Sequence, residues 1–152
     1  MSQRSLTHAT LVLERTYKAT PKRVFAAWEN VEARERWQAP TPDVRLQYIE
    51  TDFREGGRDL MRCYQANQLV WEGQTHYLDI QPNSRLVFSE LVSGDGRHES
   101  LTMVGVEFMP VAEGTHLLLT LQITGFDGAA MEAGYQYGWN AALDNLAKEL
   151  SQ

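Results

Sequence analysis

At 152 residues with a net charge of −6, the chain has the length of one domain and the wrong sign for a phosphate backbone or an anionic membrane surface. Its hydrophobic content of 43% is globular and excludes wholesale disorder. The single cysteine, Cys63, cannot close an internal disulfide, no stretch reaches the roughly 20 apolar residues of a bilayer span, and Met1–Thr7 lacks the apolar core of a signal peptide; a cytoplasmic domain is expected.

Residues 11–19 alternate, with Leu11, Leu13, Arg15 and Tyr17 on one face and Val12, Glu14, Thr16 and Lys18 on the other, which predicts a half-buried strand. Arg15 places a charge within the apolar face. It requires a strand-end position or a carboxylate partner, for which Asp52 and Glu50 are candidates. Thr20-Pro21 is a helix start, an N-cap hydroxyl followed by proline at the first helical position. Val24, Phe25, Trp28 and Val31 then recur at helical spacing. A second helical turn over residues 32–37 ends before Pro40 and Pro42. Glu29, Glu32 and Glu35, with Arg34 and Arg36, read as a solvated face of mixed sign.

From residue 43 to about 124 the pattern is strands and turns. In residues 43–54 the apolar positions switch parity, from Val44, Leu46 and Tyr48 to Ile49 and Phe53, which predicts a bulge or sharp bend. Turns are expected at Gly56-Gly57, Ala66-Asn67, Pro82-Asn83, residues 93–96 and residues 110–114. The strands between them fall near 58–64, 68–80, 85–92, 99–109 and 115–124, an antiparallel meander. The period then changes. Met131, Tyr135, Trp139, Ala142, Leu143, Leu146 and Leu150 recur every three or four residues, predicting one amphipathic helix over 129–150. The plan is α+β: a curved antiparallel sheet of about seven strands wrapped around a long C-terminal helix, with two short helices after the first strand. Residues 1–152 read as a single domain, since no repeat or linker divides them.

Several fragments carry a family resemblance. They are residues 15–28, Trp37-Gln38-Ala39-Pro40, Asp52-Phe53-Arg54-Glu55-Gly56-Gly57, Asp79-Ile80-Gln81-Pro82 leading to Arg85-Leu86-Val87-Phe88, Gly114-Thr115, and Gly138-Trp139 followed by Leu143 and Leu146. In this order they resemble the helix-grip fold of the START/SRPBCC (birch-allergen-like) superfamily. More narrowly, they are similar to the C-terminal domain of the activator of heat-shock-protein-90 ATPase. The family often carries a second aromatic beside the first tryptophan, where this chain has Gln38 next to Trp37. The resemblance implies a cavity between the sheet and the long helix. Relatives bind lipids, hormones, polyketides or other bulky apolar molecules, and some are cyclases.

The aromatic residues fit either plain core or the wall of such a cavity. Trp37, Phe53, Met61, Trp71, Phe88, Met103, Tyr135 and Trp139 are the candidate ligand-binding residues. Gly134 and Gly138, four apart on one helix, call for room beside that face or for close packing against a strand. His8, His76, His98 and His116 form no metal-ligand spacing, and His76 reads as an exposed strand position. No nucleophile elbow, phosphate loop or acid–base carboxylate pair stands out, so no catalytic residue, metal or cofactor is assigned. Three functions are carried forward in order: non-enzymatic binding of a small hydrophobic or amphipathic molecule; a stress-related co-chaperone module contacting a chaperone; and a cyclase- or hydrolase-like enzyme, which would need a cavity group with a strongly displaced pKa. A homodimer through an edge strand is compatible with the pattern; nucleic-acid binding and membrane insertion are not expected.

Overall fold

The computed structural model describes residues 5–152. Met1–Arg4, the start of the segment read as lacking a signal-peptide core, lie outside the described residues. Alternation in the first segment produces β1 (Leu6–Tyr17). Thr20 then caps α1 (Pro21–Glu29), its hydroxyl accepting from the Arg23 amide at 3.2 Å. Asn30 ends α1 and caps α2 (Val31–Trp37) through its side-chain oxygen and the Ala33 amide, at 2.8 Å. Six strands follow: β2 (Val44–Glu50), β3 (Arg58–Gln65), β4 (Gln68–Gln81), β5 (Arg85–Gly94), β6 (Arg97–Val111) and β7 (Gly114–Phe126). The chain closes with α3 (Glu132–Leu150).

Local turn chemistry dictates the meander. Ala66 and Asn67 both adopt positive φ, as a two-residue hairpin requires, and Asp95-Gly96 repeats the arrangement between β5 and β6. The seven strands form one antiparallel sheet in the order β1-β7-β6-β5-β4-β3-β2, so β1 and β2 occupy opposite edges. The parity switch in residues 43–54 is a bulge: pairing with β3 jumps from Tyr48 to Glu50, and Ile49 turns outward. The helix-grip architecture is as the sequence pattern predicts. α3 starts three residues later than expected, because Asp127 and Gly128 turn the chain at positive φ before the helix begins.

The core lies between the inner face of the sheet and the helices. Leu117, Leu119 and Leu121 of β7 are wholly buried there with Val104 and Val106 of β6 and Val24 of α1. α3 contributes unevenly. Its buried residues are Ala142, Leu143, Leu146 and Glu149, all in its second half. Tyr17 of β1 fastens that half, its hydroxyl donating to the Leu143 carbonyl at 2.8 Å. Arg15 also faces α3, donating to Asn140 Oδ1 at 2.8 Å and Asp144 Oδ1 at 3.3 Å. Asp52 and Glu50 are therefore not its partners. They follow the sheet's far edge, whereas β1's inner face looks onto the helix.

Candidate functional site

The first half of α3 reaches the core through Met131, Tyr135 and Trp139, which are only partly buried, and its glycines leave space beside them. A Cβ built on Gly134 or Gly138 meets nothing within 4 Å, so these glycines provide room and are not close-packing contacts. Between this half of α3 and the inner face of β2–β6 lies a cavity of about 350 Å³, partly open to solvent. That volume is at the lower end of small-molecule sites, roughly 300–1,000 Å³.

Six of the eight expected residues border it: Phe53, Met61, Trp71, Phe88, Tyr135 and Trp139. Trp37 and Met103 do not. Trp37 is wholly buried behind the wall, packed on Trp28 at 4.8 Å between ring centroids, with its indole N–H donating to the Ala27 carbonyl at 2.9 Å. Trp28 takes its place at the cavity, stacked on Trp139 at 5.9 Å. Met103 projects from the opposite face of the sheet, since β6 turns Thr102, Val104 and Val106 inward and strand residues alternate. Gln38, the departure from the family pattern, stands at the cavity, and its side-chain oxygen accepts from the Tyr48 hydroxyl.

The polar groups at the wall were not expected from the sequence. Arg34 is not on a solvated face; it is 3% exposed and aimed into the cavity wall. It donates to Asp59 Oδ2 at 2.7 Å, to the Tyr77 hydroxyl at 2.7 Å and to the Thr51 hydroxyl at 3.1 Å. Tyr77 donates to the same Asp59 oxygen, and the Asp52 amide donates to the other. The guanidinium also lies 4.6 Å from the centre of the Tyr48 ring. Burial alone would lower the Arg34 pKa, but Tyr48, Tyr77 and Asp59 outweigh it and hold the value above the ordinary one. Its neighbours are engaged as well: Glu35 accepts from the Tyr48 amide, and Arg36 pairs with Glu149 at 2.8 Å.

Glu90 is different. Its strand sends Leu86, Phe88, Glu90 and Val92 to the inner face, so a carboxyl interrupts an apolar row. In register, Glu90 lies beside Thr75 of β4, which itself lies beside Asp59 of β3. No donor among the described residues reaches its carboxylate, and enclosure in the cavity pushes its pKa up to about 7. Glu99 of β6 brings a second carboxyl to the same wall. Tyr135 hydrogen-bonds Ser100 at 2.8 Å and is pushed up to about 12, first by burial. The alternation that exposed Arg15 as a charge in an apolar face carries the same signal for Glu90. His76 is exposed on the outer face, and no group of His, Cys, Asp and Glu among the described residues could hold a metal ion. None of the described helices is long and apolar enough to cross a membrane.

Two outcomes follow for stability. Asp59→Ala strands the buried Arg34 charge and costs about 3–5 kcal/mol in denaturant unfolding, while Arg34→Met combined with Asp59→Leu costs less than that single change. Glu90 acts in the opposite sense. Between its ordinary 4.5 and about 7, the folded protein retains a proton that the unfolded chain has released. Stability contributed by this group therefore falls as pH rises through that window. Glu90→Gln stabilises the protein by on the order of 2 kcal/mol at about pH 8 and changes little near pH 4.5, read as melting temperature against pH.

Comparison with known proteins agrees with the fold. An uncharacterized protein from Rhizobium leguminosarum superposes with a TM-score of 0.90 at 34% identity, covering 99% of both chains. A protein from Rhizobium loti gives 0.85 at 31% identity, over 96% of this chain and 99% of the other. An AHSA1-like protein from Aeromonas hydrophila shares the fold at 20% identity and a TM-score of 0.74, over 94% and 92% of the two chains. No curated protein matches the chain. The family model for Activator of Hsp90 ATPase homolog 1-like protein matches residues 18–151, and the chain belongs to that family.

Proposed function

We propose that the protein binds a small hydrophobic or amphipathic molecule in the cavity beneath the first half of α3. The observation that carries this reading is the pair of glycines. Gly138 costs the helix interior roughly 1 kcal/mol relative to alanine, Gly134 stands exposed in the first turn, and both line the cavity. A helix selected only for packing would fill that space with side chains. The wall around it supports the reading further. Trp28, Trp71, Phe88 and Trp139 offer apolar surface, and the exposed lining is mainly apolar, as in small-molecule sites generally.

One observation favours a second reading, an enzyme of the cyclase or hydrolase type. Burial pushes the Glu90 carboxyl up to about 7, a value that suits a general base, and the Tyr135 hydroxyl shares its wall. It ranks behind simple binding because the hydroxyl already has a partner in Ser100. The co-chaperone role suggested by the family's description would use the surface instead, and ATP hydrolysis by Hsp90 with and without the protein measures it.

Binding of N-phenyl-1-naphthylamine tests the first reading. The wild type is expected to bind it one to one, with a blue-shifted probe emission and quenched tryptophan fluorescence. The double variant Gly134→Leu, Gly138→Leu is expected to melt at the same or a higher temperature and to lose the probe, because leucine favours the helix and fills the open space. Absence of binding to the wild type, or undiminished binding to a folded double variant, would overturn the reading.

A further inference from the structure

The cavity's charges are unbalanced. Arg34 is the cation at its wall, and Asp59 holds it at 2.7 Å with Tyr77 completing the network. Glu90 lies two strands beyond Asp59, about 10 Å away by strand spacing, outside contact with that guanidinium. Its carboxylate has no donor among the described residues, and Glu99 adds a second carboxyl instead of a counter-charge. A carboxyl in such a place destabilises the fold unless something arrives to pair with it.

The surroundings of Glu90 are shaped to receive a cation. At Gly73 of β4 the backbone is bare. A Cβ there would stand 3.2 Å from the Trp71 ring, 3.7 Å from the Met61 methyl and 3.8 Å from Glu90 Oε2. The missing side chain thus allows an aromatic ring, a thioether and a carboxylate oxygen to converge on one spot. Tyr135 approaches from α3, and Trp139 lies one turn further along the same helix. Aromatic rings beside a lone carboxylate suit a desolvated ammonium group.

We propose that the cavity takes a molecule with an apolar body and a protonated amine, and that Glu90 is the residue that receives the amine. This rests on the reading of the cavity as a ligand site and adds the chemical class of the ligand. A neutral ligand would at best donate a hydrogen bond to Glu90 and leave its charge unbalanced. An anionic one would add a like charge beside Glu90 and Glu99. An amine gains a charge-assisted hydrogen bond to a carboxylate whose desolvation was already incurred at folding. The other titratable groups facing Glu90 across the cavity are Arg34 of α2, Tyr48 of β2, Asp59 of β3, Tyr77 of β4, Glu99 of β6 and Tyr135 of α3.

The test is a matched set of probes, 4-phenylbutylamine, 4-phenylbutanol and 4-phenylbutanoate, titrated into the full chain by calorimetry. At about pH 8 the amine is expected to bind at least about tenfold more tightly than the alcohol, with the carboxylate weakest. Glu90→Gln is expected to erase the amine's advantage and leave the alcohol's affinity within about twofold. Lowering the pH to about 5 should erase it in the wild type too, because the amine stays charged while Glu90 takes up a proton. An amine that binds no better than the alcohol, an advantage that survives in Glu90→Gln, or a carboxylate that binds most tightly would overturn the amine assignment. If the amine fails while N-phenyl-1-naphthylamine binds, the amine assignment falls and the cavity reading stands. If neither binds, both fall.

Discussion

The grip of the second half of α3 on the sheet fixes everything around it. Ala142, Leu143 and Leu146 are buried against the core, and the Tyr17 hydroxyl ties the Leu143 carbonyl to β1. A helix is stiff, so once these turns are seated the preceding turns must project over the curved sheet wherever the axis carries them. Gly134 and Gly138 lie in that overhang, and without their side chains the space beside Tyr135 and Trp139 is left open. The cavity is thus a consequence of a well-packed half-helix continued by a poorly packing one.

The wall below the overhang holds one set of paired charges and one carboxyl without a partner among the described residues. Arg34, Asp59, Tyr77 and Thr51 form a network in which the charges are paired, and which joins α2 to β3 and β4. Such a network orients the wall and tolerates no partial removal. Glu90 borders the same cavity, half-buried and without a partner among the described residues. The two carboxyls differ in this respect: Asp59 is paired within the chain, and Glu90 has no donor among the described residues.

Much of this was legible in the sequence. Period-two alternation, turn residues such as Ala66-Asn67, and the three-to-four repeat ending at Leu150 determine the element order and the helix-grip plan. The parity switch in residues 43–54 foretold the bulge at Tyr48 and Glu50. The partner of Arg15 was not legible, because choosing α3 over Asp52 or Glu50 requires knowing that β1 and β2 end on opposite edges. Arg34 was obscured by its setting. In a seven-residue helix with four charged residues, the buried face is decided by where β3 brings Asp59, 25 positions later. Met103 misled because apolar residues occupy both parities of its strand, and Trp37 because a large aromatic can stand one layer behind a wall as well as in it. Glu90 was within reach, since a carboxyl between Phe88 and Val92 breaks an otherwise apolar inward row.

The most direct measurement is the titration of the Glu90 side-chain carboxyl itself, followed by its ¹³C resonance in the ligand-free protein. A midpoint near 7 is expected for an enclosed carboxyl with no partner. A midpoint at or below the ordinary 4.5 would mean that the group is solvated or paired within the chain, and would contradict a cavity built around an unanswered charge.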